Sequence, residues 1–182
     1  MGGKFELSRK LIPMIPPHDR YIEVFLGGGS MFFRKRKAKL NVLNDKHNDL
    51  INLYLTVMEY YEIFTNQCET LYDAFKTDLK VTLNYYDMPD PKRAAKYFYI
   101  IKNAFNVNFH NPIAKEAEWN EQMWNCLKTS RDKLKDTMIE NVDFRELFHK
   151  YPTREGDFWY LDPPYVIAGE RGDYYIHSLD ND

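Results

Sequence analysis

The sequence predicts an α/β fold in which a parallel sheet is interrupted by a mainly helical insertion. Residues 21–26 are β-branched and aromatic and lead into the turn Gly27–Gly29. Residues 40–44 are predicted to form a second strand, and residues 158–161 form a third, continuously apolar run. Runs of this kind are typical of strands buried in parallel sheets. The carboxyl ends of such strands meet at the edge where open α/β folds bind ligands, so a site is predicted there.

The composition is that of an ordinary globular protein, with 182 residues, 44% hydrophobic and 29% charged. The net charge of −2 gives no overall attraction to nucleic acid, so any such binding requires local patches. Cys68 and Cys126 fit no disulfide or metal framework, which favours a reducing cytosol, and the histidines show no metal-ligand spacing. We therefore expect no metal, and we find no signal peptide and no apolar run of membrane-spanning length.

The third apolar run ends in Asp162-Pro163-Pro164-Tyr165. Proline cannot continue a sheet ladder, so the strand is predicted to end at Asp162. The exocyclic amine of a nucleobase is a poor nucleophile, and its activation requires acceptors aimed at its hydrogens. The Asp162 carboxylate and the rigidly held carbonyl of Pro163 supply two, while Tyr165 offers a face on which an extruded base can stack. A strand end followed by a tight turn is the alternative interpretation.

The glycine turn joins the first strand to a predicted helix that begins near Ser30. Such a unit brings backbone donors against a bound ligand. The turn lacks both the G-x-G-x-x-G spacing of dinucleotide sites and the Gly-Lys-Ser/Thr of a phosphate loop. It fits a nucleoside whose amino-acid tail lies over the glycines, with Glu23 placed to accept an ammonium group. A purely structural glycine turn is the alternative.

An acid, Asp45, ends the second strand about 20 residues beyond the glycine turn, which is the arrangement that places a carboxylate on ribose hydroxyls. The alternative is an acidic cap for a helix that begins at Asn48 or Asp49. The basic run 34–39 indicates a solvated helix end or a phosphate contact. Gly2-Gly3-Lys4 indicates flexible end residues, or a lysine that pairs with a ligand carboxylate.

Apolar spacing and capping residues predict the remaining elements. In chain order they are a short helix stopped before Pro13, a helix over 48–80, a helix that starts at Pro91 with Asp90 as its cap, a loop over 103–112, a helix over 114–138, a third strand over 137–144 that ends near Asp143, and a helix over 144–150. These elements predict that residues 1–49 and 139–182 form the catalytic domain and that residues 50–138 form the insertion.

Four stretches, in this order, carry a resemblance to a known family: Gly2–Lys4, Glu23–Ser30, Asn44-Asp45 and Asp162–Tyr165. In these stretches the sequence resembles the Dam-type DNA adenine methyltransferases, which use S-adenosylmethionine. The resemblance covers essentially the whole chain. It implies a Rossmann-like methyltransferase sheet that is incomplete at the carboxyl terminus, and double-stranded DNA as the partner. It also implies a bacterial or phage origin with a cytoplasmic location, and a cognate restriction endonuclease as a candidate partner.

The resemblance also implies roles for individual residues. The catalytic set comprises Asp162, Pro163, Pro164 and Tyr165, which hold a flipped adenine for direct in-line methyl transfer. The cofactor-binding set, from the residues and the resemblance together, comprises Lys4, Glu23, Phe25, Gly27, Gly29, Ser30, Asp45, Asp143, Phe144 and Asp162. The insertion is expected to recognise the DNA sequence.

This sequence departs from the family pattern in three places. The family's aromatic residue before the lysine would precede Met1, and the family's glycine and arginine are absent from residues 104–109. The sequence ends at Asp182, where further strands are expected, so we expect a shortened chain. Two alternatives stay open: an inactive remnant that binds cofactor or DNA, and a methyltransferase acting on RNA or a protein amide. The long insertion favours DNA.

Overall fold

The computed structural model describes residues 4–72, 89–103 and 120–164. Within these ranges the chain forms four strands and six α-helices. In chain order they are α1 (Lys4–Leu11), β1 (Arg20–Glu23), β2 (Leu40–Asn44), α2 (Asn48–Glu59), α3 (Tyr61–Thr70), α4 (Pro91–Asn103), α5 (Glu121–Leu134), β3 (Met138–Glu140), α6 (Phe144–Lys150) and β4 (Asp157–Tyr160). A short 3-10 turn (Ile12–Met14) follows α1 and contains Pro13.

The four strands form one parallel sheet in the order β3-β2-β1-β4. Glu23 lies opposite Leu43 on one side and Tyr160 on the other, so these strands end in nearly the same row. The α/β fold with a parallel sheet is therefore confirmed. The segments that follow all four strands leave from one edge, where Glu23, Asp45 and Asp162 lie at or just beyond the strand ends.

The two faces of the sheet carry separate cores, because successive residues of a strand point to opposite faces. Tyr21 and Leu43 belong to the larger core, which is completed by residues from α2, α3, α4 and α5. Ile22 and Val42 belong to the smaller core, which packs against Leu147 of α6. At the start of the sheet the buried side chains of Arg20 and Asp157 join β1 to β4, with Arg20 Nε donating to Asp157 Oδ1 at 2.8 Å.

The helix predicted over 48–80 is wrong as a single element. It is two helices, α2 and α3, separated at Tyr60, whose backbone (φ −125°, ψ 36°) is not helical. Apolar spacing missed the break because Phe64 of α3 packs into the same core as Val57 of α2. Residues 73–80 of the predicted helix lie outside the described residues.

No regular helix begins at Ser30, which corrects the prediction made for the glycine unit. Residues 30–34 form consecutive turns instead, in which the N–H of Phe33 donates to the carbonyl of Gly29 at 2.9 Å. The N–H of Phe32 is diverted from a helical ladder because it donates to the buried carboxylate of Glu23 at 3.2 Å. The local pattern of residues 27–33 carries no sign of that distant acceptor.

Smaller corrections concern the second half of the chain. The third strand is shorter than predicted and ends at Glu140, so Asp143 caps α6 instead of ending a strand. The α6 helix itself is confirmed. Helix α5 begins at Glu121 with Asn120 as its cap and ends at Leu134, whereas the predicted residues 114–119 lie outside the described part. Strand β4 ends at Tyr160 instead of at Asp162 as predicted, and its residues are half-buried rather than buried.

Asp90 caps α4 as predicted, since its side chain accepts a hydrogen bond from the N–H of Arg93 at 3.1 Å. The loop predicted over residues 103–112 lies mostly outside the described residues. No helix in the described ranges is both long enough and apolar enough to cross a membrane.

Candidate active site

Two glycines of the turn after β1 have left-handed backbones, Gly27 with φ +49° and Gly29 with φ +64°. A Cβ at Gly29 would lie 2.6 Å from the ring of Phe33, so this position is glycine because of close packing. A Cβ at Gly27 would meet no atom within 4 Å. The side of Gly27 that a Cβ would occupy is therefore open space, into which a ligand can approach the Cα closely.

The carboxylate of Asp45 lies directly against the glycine turn. Its Oδ2 accepts a hydrogen bond from the N–H of Gly27 at 2.8 Å, and its Oδ1 accepts one from the N–H of His47 at 2.9 Å. The structure therefore places Asp45 beside the glycine turn, as predicted. The alternative role as a helix cap is wrong, because the N-cap of α2 is His47, whose Nδ1 accepts from the N–H of Leu50.

Asn44, to which the sequence assigned no role of its own, ties together the segments that leave the sheet. Its Nδ2 donates to the carbonyls of Val24 and Val142 at 3.0 and 3.1 Å, and its Oδ1 accepts from the N–H of Val142 at 3.1 Å. Asn44 thereby fixes the exits of β1 and β3 relative to β2. A buried amide at the last position of an apolar strand was the available signal.

Glu23 ends β1 in the interior, with 2% of its surface exposed. Its Oε2 accepts hydrogen bonds from the hydroxyl of Tyr21 at 2.8 Å and from the N–H of Phe32 at 3.2 Å. Burial raises the pKa of Glu23 to about 8; the two hydrogen bonds and Lys35 oppose this, whereas the negative charge of Asp162 adds to it. Both hydrogen bonds are internal, so the contact of Glu23 with a ligand ammonium group stays a prediction.

Within the basic run, Lys35 is buried rather than solvated. Its Nζ lies 4.0 Å from the centroid of the Tyr21 ring and donates to the carbonyl of Arg36 at 2.7 Å. Burial lowers the pKa of Lys35 to about 8, an effect strengthened by the charge of Lys133 and opposed by Glu23. Lys35 therefore belongs to a buried polar group with Tyr21 and Glu23.

Asp162 follows β4 at the same sheet edge as Glu23. The hydroxyl of Tyr160 donates to its Oδ2 at 3.4 Å, and its charge contributes to the raised pKa of Glu23. Pro163 is exposed and Pro164 is half-buried. Tyr165 lies outside the described residues, and of Lys4 only the backbone, at the start of α1, is described.

An aromatic pair lies where the segment that follows β1 meets the start of α6. The rings of Phe25 and Phe144 lie 5.8 Å apart between centroids, and both are half-buried. Asp143 accepts from the N–H of Arg145 at 2.9 Å, and its carboxylate lies 3.9 Å from Nζ of Lys46. These residues add an apolar wall and a further carboxylate to the edge that carries Asp45.

Comparison with known protein families identifies the chain. The model of the family MethyltransfD12, the D12 class N6 adenine-specific DNA methyltransferases, matches residues 1–112. The chain belongs to this family. For this D12 methyltransferase the matched region includes Glu23, the glycine turn and Asp45, whereas Asp162 follows it.

Individual relatives extend the similarity beyond residue 112. The type II methyltransferase M1.LlaDCHI of Lactococcus lactis subsp. cremoris is 27% identical over 202 residues, which cover 97% of this chain and 68% of the relative. The DNA adenine methylase of Serratia marcescens is 24% identical, covering 99% of this chain and 70% of the relative. The DNA N-6-adenine-methyltransferase of Escherichia phage P1 is 28% identical over 110 residues, or 58% of this chain and 14% of the relative. The D12 methyltransferase thus spans about two thirds of the first two relatives and far less of the third.

Proposed function

We propose that the protein transfers a methyl group from S-adenosylmethionine to the exocyclic amino group of an adenine in double-stranded DNA. One observation carries the proposal. The parallel sheet brings the exits of β1, β2 and β4 to one edge, where Asp45 is hydrogen-bonded to the turn at Gly27 and Asp162 follows the strand that pairs with β1. Membership of the D12 family supplies the reaction class.

The residues at this edge fit the cofactor. Gly27 leaves open the space that a Cβ would fill, so a ligand can lie against its Cα. Each carboxylate oxygen has two lone pairs, so Asp45 can still accept ribose hydroxyls after binding the N–H groups of Gly27 and His47. Phe25 and Phe144 offer apolar faces to a purine. When bound, S-adenosylmethionine supplies an electrophilic methyl group.

The remaining cofactor contacts are proposed from position. Gly29 and Ser30 lie beside Gly27 in the turn that would cradle the amino-acid tail, and Lys4 would pair with its carboxylate. Asp143 lies next to Phe144 and would accept from the exocyclic amine of the cofactor. Glu23 would accept a hydrogen bond from the ammonium group of that tail.

Asp162 is proposed to activate the target amine for methyl transfer. Its carboxylate and the carbonyl of Pro163 accept hydrogen bonds from the amine, which frees the nitrogen lone pair and stabilises the positive charge that develops there. Pro164 restrains the backbone of Pro163 so that the carbonyl is already oriented. Tyr165 stacks on the extruded base.

The insertion, residues 50–138, is proposed to recognise DNA, with residues 1–49 and 139–182 as the catalytic domain. Within it, α2 and α4 pack on the sheet face that contains Tyr21. Because relatives are named type II methyltransferases, a cognate restriction endonuclease is a proposed partner.

The test is calorimetry with S-adenosylmethionine and with its demethylated product, followed by transfer of a tritiated methyl group to unmethylated duplex DNA, to RNA and to protein. Binding of both ligands and incorporation into DNA alone are expected. Binding without incorporation would identify an inactive remnant. Incorporation into RNA or protein would reassign the substrate, and no binding at millimolar ligand would reject the cofactor.

A further inference from the structure

The peptide groups of Gly27 are held by side chains from two different elements. Asp45, at the end of β2, accepts from the N–H of Gly27 at 2.8 Å. Tyr54, in the second turn of α2, donates its hydroxyl to the carbonyl of Gly27 at 2.9 Å. The residue of the turn that faces open space is therefore restrained on both sides by side chains, and one of them belongs to the proposed insertion.

Tyr54 itself is held in place on the turn side of α2. Its ring lies 5.8 Å from that of Phe33, whose ring also packs under Gly29. Burial raises the pKa of the Tyr54 hydroxyl far above its ordinary value, with the negative charge of Glu23 and nearby Tyr97 and Asp45 acting in the same direction. The hydroxyl therefore stays protonated and remains a donor at every physiological pH.

Helix α2 is in turn fixed to α4, so the position of Tyr54 depends on the positions of both helices. Asn52 Nδ2 donates to the carbonyl of Asp90 at 3.0 Å, and the N–H of Asp90 donates back to Asn52 Oδ1 at 2.7 Å. The buried side chains of Asp49 and Arg93 lie 3.0 Å apart. Movement of α4 would thus be transmitted to α2 and to the hydroxyl on Gly27.

We propose that Tyr54 is a positioning residue through which the helical insertion sets the conformation of the cofactor-binding turn. The inference rests on the proposed use of S-adenosylmethionine. A glycine in the left-handed region has many accessible conformations, and fixing one of them before binding lowers the ordering cost that the ligand would otherwise meet. The Tyr54 hydroxyl meets part of that cost in the free protein.

The test compares Tyr54→Phe with the matched control Tyr61→Phe. Tyr61 is also a partly buried tyrosine whose hydroxyl donates to a backbone carbonyl, that of Trp124 at 3.3 Å, but between α3 and α5. Loss of one such bond is expected to weaken S-adenosylhomocysteine binding to Tyr54→Phe by about fivefold to tenfold in calorimetry. Tyr61→Phe is expected to bind S-adenosylhomocysteine with an affinity within about twofold of the wild type, because the bond that it removes does not involve the glycine turn.

A kinetic readout separates positioning from structural damage. Tyr54→Phe should raise KM for S-adenosylmethionine by the same factor, while kcat at saturating cofactor stays within about twofold on unmethylated duplex DNA. Loss of folded protein would instead lower kcat with KM unchanged. That pattern, or unchanged product binding by Tyr54→Phe, would overturn the positioning role.

Hydrogen exchange in the wild-type protein tests the coupling without any variant. Addition of S-adenosylhomocysteine should slow amide exchange in peptides covering residues 26–30 and also in those covering residues 47–58 of α2. Protection confined to the turn would overturn the coupling while leaving the proposed function intact. Failure of the wild type to bind the product at all would reject the proposed function, and this inference with it.

Discussion

Oδ2 of Asp45 lies 2.8 Å from the backbone nitrogen of Gly27, so the acid that ends β2 is bonded to the turn that follows β1. The same carboxylate accepts from the N–H of His47 at 2.9 Å, where α2 begins. The Asp45 side chain therefore links the exit of β2 both to the glycine turn and to the start of α2.

Asp45→Ala should weaken binding of S-adenosylhomocysteine by at least about tenfold, because both the proposed ribose acceptor and the restraint on Gly27 are lost. It should also lower the free energy of unfolding by about 1–2 kcal/mol, since two backbone donors lose their acceptor. Calorimetry and urea unfolding measure the two effects. Asp19→Ala is the control: Asp19 is an exposed acid next to the start of β1, paired with Lys39 at 2.8 Å. Equal loss of binding in both variants would contradict the assignment.

Asp162→Ala should abolish methyl transfer, with a decrease in kcat of at least about a hundredfold, because the proposed acceptor for the target amine is removed. The melting temperature should stay within a few degrees of the wild type, as Asp162 lies beyond the end of β4. Tritium transfer to duplex DNA measures the loss. The neighbouring Leu161→Ala, at a side chain 50% exposed, should retain transfer. Substantial activity in Asp162→Ala would show that the acceptor role is wrong.

Glu23 gives the protein a predicted pH dependence of stability. Its pKa rises from an ordinary value of 4.5 in the unfolded chain to about 8 in the folded one, so between these values the folded state binds more protons. The free energy of unfolding should therefore fall as pH rises from about 5 to about 8, by up to a few kcal/mol. Lys35, with a lowered pKa of about 8, acts in the opposite direction only at higher pH.

Glu23→Gln tests this pH dependence, because glutamine keeps an acceptor for Tyr21 and Phe32 but cannot ionise. Urea unfolding at pH 5, 6.5 and 8 should show a smaller decrease in stability for the variant than for the wild type. Parallel pH profiles for the two proteins would contradict the raised pKa.

The two left-handed glycines should respond differently to alanine. Gly29→Ala should lower the free energy of unfolding by more than about 2 kcal/mol, because its Cβ would lie 2.6 Å from the Phe33 ring in addition to the backbone strain. Gly27→Ala has open space and carries only the strain, about 1–2 kcal/mol. Gly27→Ala should nevertheless change the free energy of cofactor binding more than it changes the free energy of unfolding. Thermal melting with calorimetry compares them, and a larger stability loss at Gly27 would be the contrary result.

The parts of the site that could be predicted from the sequence depend on local pattern. The strand ends at Asp45 and near Asp162, the glycine turn and the cap at Asp90 each follow from a few adjacent residues and the geometry of parallel sheets. The family resemblance to the DNA adenine methyltransferases was confirmed by the match over residues 1–112. The proposed roles of individual side chains remain predictions.

The parts that could not be predicted depend on contacts between distant residues. Tyr54 looked like one more member of the apolar stripe of α2, and nothing near it in sequence shows that its hydroxyl meets Gly27. The missing helix at Ser30 has the same cause, since the acceptor that diverts Phe32 is the side chain of Glu23. Periodicity reports which face of an element is apolar, but not which polar atom it will meet.

The pairing of β1 with β4 has a consequence for biosynthesis. Arg20 and Asp157 are separated by 137 residues, and parallel partners so far apart gain their contacts only after a long loop has closed. As the ribosome delivers the chain, β1, β2 and the first helices emerge well before β4 does. The proposed acceptor Asp162 is carried by that later segment, so the nascent protein can form its glycine turn before Asp162 has been synthesised.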